Sequence, residues 1–185
     1  MKIAITGGIG SGKSFVCRLL EARGIRIYDC DSAAKRLMRT SPHIREQLTA
    51  LIGPDAYDAD GHLNKARVAE FLMASEANNQ AINAIVHPAV AADFTQSGFQ
   101  WMECAILYES GFERLVDCVI AVTAPLPVRL ERIIERDHIS RTSALAWINK
   151  QWPQSELQQR AQFEIINDGR PLEPQIEHII NNIKE

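Results

Sequence analysis

Apolar residues in this chain fall into short blocks separated by longer periodic stretches. Lys2–Thr6 is a brief apolar run that ends at Gly7-Gly8, which suits a strand buried on both faces of a parallel sheet. Ser14–Arg23 carries Val16, Leu19 and Leu20 at helical spacing, and Gly24 stands where a helix-ending glycine belongs. Ile25–Tyr28 reads as a second strand, followed by Asp29-Cys30-Asp31. From Ser32 to about Gly98 the pattern is helical with few β-branched runs. Ser41-Pro42, Gly53-Pro54, Asp60-Gly61 and His87-Pro88 punctuate it, the last read alone as a helix boundary. Trp101–Leu107 and Asp117–Thr123 are further apolar runs, read as strands. Pro127–Asp137 and Ser143–Trp152 read as helices, Phe163–Asn167 as a fifth strand and Pro174–Ile183 as a closing helix.

Strands separated by helices predict an α/β fold in which a five-stranded parallel sheet is covered on both faces, three αβα layers in all. The pattern places the core at about residues 1–31, 99–135 and 161–185 of one 185-residue domain. A helical insertion occupies about 32–98 and a lid about 136–160.

Composition narrows the function. With 46% hydrophobic and 23% charged residues the chain is neither disordered nor a coiled coil. A net charge of −3 argues against a non-specific nucleic-acid binder. No apolar run approaches the roughly 18 residues that span a bilayer, and Met1-Lys2-Ile3-Ala4-Ile5-Thr6-Gly7-Gly8 reads as a first strand rather than a signal peptide. Cys17, Cys30, Cys104 and Cys118 make no C-x-x-C pair, so they are expected to be buried free thiols of a cytoplasmic protein.

The strongest chemical signal is Gly7-Gly8-Ile9-Gly10-Ser11-Gly12-Lys13-Ser14, which fits G-x-x-x-x-G-K-[ST] between a strand and a helix. Glycines let the backbone approach anionic oxygens, and successive N–H groups form an anion nest. The helix behind adds the positive end of its dipole. Lys13 supplies a mobile charge for the β- and γ-phosphates, and Ser14 a hydroxyl for Mg²⁺. The loop therefore predicts a P-loop protein that binds a nucleoside triphosphate. Asp58-Ala59-Asp60-Gly61 matches a GTPase switch only by letters, in a polar turn, and Asn64-Lys65-Ala66-Arg67 lacks the final Asp of a guanine motif.

The remaining features suit a small phosphoryl-transfer enzyme. Asp29 and Asp31 follow the second strand. Two residues apart in extended chain, both carboxylates would face a cleft beyond the strand ends, one to orient a hydroxyl and one to hold metal through water. The competing expectation is that Asp31 or Ser32 caps the next helix. Arg129, Arg132 and Arg136 share one helix face; a solvated surface paired with Glu131 and Glu135 is expected for Arg129. Arg136 and Arg141 bracket a polar turn suited to a lid over the transferring phosphate. Glu109 ends the apolar run Cys104–Tyr108, where it can reach metal or acceptor.

In series, these residues resemble the dephospho-coenzyme A kinase family. The resemblance rests on Thr6–Ser14, Asp29-Cys30-Asp31, His87-Pro88, Leu107-Tyr108-Glu109, Arg132 with Arg136-Asp137, Arg141, Gln151 and Ile165–Gly169, from residue 3 to about 169. It implies a nucleotide-kinase-like core with a helical acceptor domain and a lid, and transfer of the ATP γ-phosphate to the ribose 3′-hydroxyl of dephospho-CoA. By the same resemblance Asp31 is the base, and His87 and Glu109 lie on the acceptor side; Asp29, from its place after the second strand, is expected to bind the acceptor with them. Lys13, Arg136 and Arg141 serve the phosphates. Gly8, Ile9, Gly10, Ser11, Gly12, Lys13 and Ser14 hold ATP with its Mg²⁺, while Asn167 and Gly169 lie near the adenine. Phe15, Ala105 and Asp168 depart from the usual pattern, in which Thr is common at the first position and Pro at the second.

Overall fold

Ile3–Thr6 (β1) is four consecutive residues buried on both faces, as expected for the middle of a parallel sheet. In the computed structural model, which describes residues 1–183, it is the central strand of five. The others are Ile27–Asp29 (β2), Trp101–Glu103 (β3), Cys118–Thr123 (β4) and Phe163–Ile166 (β5), in the order β2-β3-β1-β4-β5. The sheet is all-parallel, with Ile5 opposite both Glu103 and Ile120, and Thr123 opposite Ile166. All five carboxyl ends therefore lie along one edge, where ligands bind in such sheets.

Lys13–Glu21 (α1) and Glu173–Ile183 (α9) cover one face. Val16, Cys17 and Leu20 of α1, with Ile176 and Ile179 of α9, pack on Ile3, Ile5, Ile120, Val122 and Ile165. Each fully buried aliphatic side chain contributes roughly 1.5–3 kcal/mol to this packing. The chain leaves α1 through a Schellman turn: Gly24, at φ +84°, donates to Glu21 O, and Ile25 donates to Leu20 O. Leu126–Asp137 (α6) and Arg141–Asn149 (α7) pack on each other through Leu130, Ile133, Ala144 and Ile148. Gln154–Arg160 (α8) was not anticipated, because its one apolar residue, the buried Leu157, gives no periodicity.

The chain divides into two units: residues 1–28 with 99 onward, and Asp29–Gly98. The second is helical, with Cys30–Thr40 (α2), Pro42–Ile52 (α3), Lys65–Ala74 (α4) and Glu76–Gln96 (α5). Ser41, Asn64 and Ser75 cap α3, α4 and α5 through side-chain oxygens. Asn78 and Asn79, in the first turn of α5, donate to the last carbonyls of α4 at 2.8 and 3.0 Å. Contrary to expectation, α5 runs through His87-Pro88 without a break. Ile82, Val86, Val90 and Phe94 form one buried i, i+4 stripe across the proline, and that packing outweighs the lost backbone bond. Asp58–Gly61 is a turn, closed by Gly61 N–H to Asp58 O at 2.9 Å.

A second departure concerns the run Trp101–Leu107. Only Trp101–Glu103 is strand; Cys104 N–H still bonds to Ile5 O, and then the chain turns. Phe112 N–H donates to Leu107 O at 2.9 Å and Leu107 is fully buried, so its hydrophobicity belongs to a core-plugging turn. All four cysteines are buried and outside disulfides. Among the described residues no helix is long and apolar enough to cross a membrane.

Candidate active site

The phosphate loop joins β1 to α1. Gly12, at φ +89°, is the left-handed residue immediately before α1, and Gly10 has φ +80°. Close packing also demands glycine there. A Cβ on Gly12 would lie 2.0 Å from Asn167 Nδ2, and one on Gly10 would lie 2.6 Å from the carbonyl oxygen of Arg129. The loop thus rests on α6 and on the chain leaving β5.

Helix α6 presents Arg129 and Arg132 to the loop rather than to water. Arg129 is buried, with Nε donating to Ile9 O at 2.9 Å, which corrects the expected solvated position. Burial pulls its pKa down from the usual arginine value. Arg132 Nη1 reaches the carbonyls of Gly10 and Ser11 at 3.3 Å, and Nη2 reaches Asn167 O and Oδ1. The surface that looked solvated in sequence is the face satisfying loop carbonyls left without backbone partners.

A cleft of about 470 Å³ opens over this loop, lined among others by Gly8, Lys13, Ser14, Phe15, Arg132 and Arg136. At its base Lys13 forms an ion pair with Glu103, the last residue of β3, and Ser14 Oγ lies 3.4 Å from the same carboxylate oxygen. The Lys13 and Glu103 side chains are 11% and 17% exposed. Ammonium, hydroxyl and carboxylate therefore meet at one point below the loop. Glu103 is masked in sequence because the apolar run Trp101–Leu107 extends past it; its signal is an acidic residue two positions after Trp101. The carboxylate also faces Cys17, whose thiol pKa is pushed up mainly by burial.

The other predicted residues are distributed as follows. Arg136 lines the cleft and pairs with Asp137 at 2.7 Å; that hydrogen bond raises the arginine pKa and lowers that of Asp137. His138 ends α6 in the left-handed region, at φ +52°. Arg141 is the first residue of α7, exposed and apart from the cleft lining. Asn167 is buried, its Nδ2 donating to Ser11 O at 2.9 Å, so its amide supports the loop from behind. Gly169, at φ +108°, has open space around it. Ser11 is buried and its Oγ lacks a hydrogen-bond partner. Ile9 N–H is taken by Gln151 Oε1 at 2.7 Å. Glu109 sits in the turn after β3 rather than at a strand end, and accepts from Trp152 N–H at 3.3 Å.

In the helical unit, Asp29 and Asp31 do not share an extended segment. Asp29 ends β2 and caps α2: Oδ1 accepts from Asp31 N–H at 2.9 Å and Ser32 N–H at 3.1 Å, and Oδ2 accepts from Ser32 Oγ at 2.7 Å. Asp29, not Asp31 or Ser32, is the cap. Asp31 lies in the first turn of α2, exposed, in an ion pair with the exposed Lys35 one turn on. His87 is half-buried in α5, and burial holds its pKa below the usual histidine value.

Comparison with known proteins bears on this arrangement. A family model described as dephospho-CoA kinase matches residues 1–173. A dephospho-CoA kinase of Bacteroides fragilis is 43% identical over 188 residues, covering 97% of this chain and 91% of that protein. Among solved structures, TT1252 from Thermus thermophilus has TM-score 0.84 at 30% identity, covering 99% of this chain and 97% of that one. Dephospho-CoA kinase from Campylobacter jejuni shares the fold, with TM-score 0.70 at 20% identity over 99% of this chain and 98% of that one.

Proposed function

The chain belongs to the dephospho-CoA kinase family, and from that premise we propose how its residues carry out ATP-dependent phosphorylation of dephospho-CoA, the last step of coenzyme A synthesis. The γ-phosphorus leaves the β-phosphate oxygen and bonds to the ribose 3′-oxygen of dephospho-CoA, giving CoA and ADP. The observation that carries this reading is the meeting of Lys13, Ser14 and Glu103 beneath a glycine loop at the carboxyl edge of the sheet.

Loop N–H groups and the N-terminus of α1 hold the phosphates, with Gly8 through Ser14 forming the cradle. Lys13 moves from Glu103 to the β- and γ-phosphates, and Arg136 meets the charge that builds on the transferring group. Arg141, the first residue of α7, joins it when the turn of residues 137–141 draws over the cleft. Asp31 accepts the 3′-hydroxyl proton: its carboxylate is exposed, whereas both oxygens of Asp29 are engaged at the helix cap. Asp29 therefore supports the acceptor side by fixing α2, and His87 and Glu109 contact the acceptor. Asn167 acts through the loop it props, and Gly169 flanks the adenine.

Hard oxygen donors suit Mg²⁺, and the Ser14 hydroxyl and Glu103 carboxylate form such a set. When bound there, the ion neutralises phosphate charge. The four buried thiols and the small-molecule substrates accord with a cytoplasmic setting. Lys13→Ala is expected to cut turnover on the order of 10²-fold or more; near-normal turnover would refute the assignment.

A further inference from the structure

Ile9 sits at the apex of the phosphate loop, and its peptide groups are held from both sides by residues more than a hundred positions away. Arg129 Nε donates to its carbonyl at 2.9 Å; Gln151 Oε1 accepts from its N–H at 2.7 Å. The same two side chains wall in Gly8, where a Cβ would come within 2.5 Å of Arg129 Nη2 and 3.4 Å of Gln151 Oε1. Arg129 is only 6% exposed, so its guanidinium has little freedom to leave.

Gln151 is steadied by its neighbour. The Trp152 ring stacks on Tyr108 with centroids 5.4 Å apart and planes 9° from parallel. The Arg160 guanidinium lies 4.8 Å over the Trp152 ring, and Trp152 N–H donates to Glu109. A side chain with several rotatable bonds is thereby held with its amide oxygen on one loop N–H.

A loop containing Gly7, Gly8, Gly10 and Gly12 would otherwise sample many conformations, and ordering it on each binding event would cost affinity. We propose that Arg129 and Gln151 are positioning residues that clamp the main chain at Ile9 and set the loop in its phosphate-binding form before ATP arrives. The inference rests on reading the cleft as the triphosphate site. It assigns to two residues a role exercised through the loop main chain rather than on the phosphate or the acceptor. It also predicts where their loss is felt: nucleotide binding, not acceptor binding.

Gln151→Leu, similar in size but without the acceptor, is the test, because Gln151 is only half-buried. Calorimetric titration with Mg-ADP needs no acceptor and is independent of the overall reaction. Removing one net hydrogen bond should weaken Mg-ADP binding about fivefold and raise the ATP KM by a like factor. The dephospho-CoA KM should stay within about twofold and the thermal midpoint within about 4 °C. Backbone amide exchange at Ile9 should quicken in the nucleotide-free variant. Unchanged Mg-ADP affinity overturns the clamp, and so does a parallel rise in both KM values with a fallen thermal midpoint. Wild-type protein that binds no Mg-ADP would overturn the triphosphate reading itself, a separate result.

Discussion

Glu103→Gln should move two measurable quantities in opposite directions. Without nucleotide, the Glu103 carboxylate ties down the Lys13 ammonium in a place where the two side chains are only 17% and 11% exposed. A charge-assisted hydrogen bond contributes about 1.5–3 kcal/mol and a neutral one about 1 kcal/mol. The amide keeps a hydrogen bond to Lys13 but releases about 0.5–2 kcal/mol of the hold on it. At about 1.4 kcal/mol per factor of ten, metal-free ADP should then bind roughly 2–30-fold tighter. The same change removes an anionic oxygen from the Ser14–Glu103 donor pair, so Mg²⁺-dependent turnover should fall roughly 10–100-fold. Calorimetric titration with ADP in chelator, beside steady-state rates in Mg-ATP, reads both. Weaker metal-free ADP binding, or unchanged turnover, would refute the reasoning that Glu103 restrains Lys13 in the empty site and serves the metal in the filled one.

Three further substitutions probe separate parts of the account. Gly12→Ala imposes a left-handed alanine costing about 1–2 kcal/mol and displaces the Asn167 amide from Ser11 O, costing about 1–3 kcal/mol more; a thermal midpoint lowered by roughly 5–15 °C is expected, and an unchanged midpoint contradicts the packing argument. Asp31→Asn should lower kcat on the order of 10²-fold with the ATP KM unchanged; normal kcat with lost ATP affinity would move Asp31 from the chemistry to nucleotide binding. His87 has its folded pKa lowered by burial, so the unfolded chain binds more protons just below the ordinary histidine value. Stability should therefore fall as pH drops from about 6.5 toward the lowered folded pKa, and His87→Gln should remove that fall in urea titrations. A wild-type and variant difference that is constant across this window rules the linkage out.

How much the sequence revealed depended on whether the cause was local. Ile3–Thr6 and Cys118–Thr123 are continuous apolar runs because strands of a parallel sheet are buried on both faces, and both stand where the pattern put them. The phosphate loop was legible for a similar reason: glycines, lysine and serine are needed at fixed spacing. Beyond that, tertiary contacts decided. The surface of α6 read as polar because Arg129 lies among Glu131 and Glu135, yet the loop carbonyl that buries Arg129 belongs to Ile9, 120 residues away. Glu103 was hidden because Leu107 extends the hydrophobic run while serving a turn. His87-Pro88 reads as a stop, and only the buried stripe from Ile82 to Phe94 shows why the helix continues. Which of Asp29 and Asp31 caps α2 turned on which residue starts the helix, and a helix boundary is uncertain by one or two residues in any sequence reading.

The most direct test of the central claim is ADP release from Mg-ATP with and without dephospho-CoA, with the acceptor product identified by mass. The account predicts ADP formation that depends on dephospho-CoA and one product heavier by a single phosphoryl group, carried on the ribose 3′-oxygen. ADP release unaffected by dephospho-CoA, or a phosphoryl group found elsewhere, would contradict it.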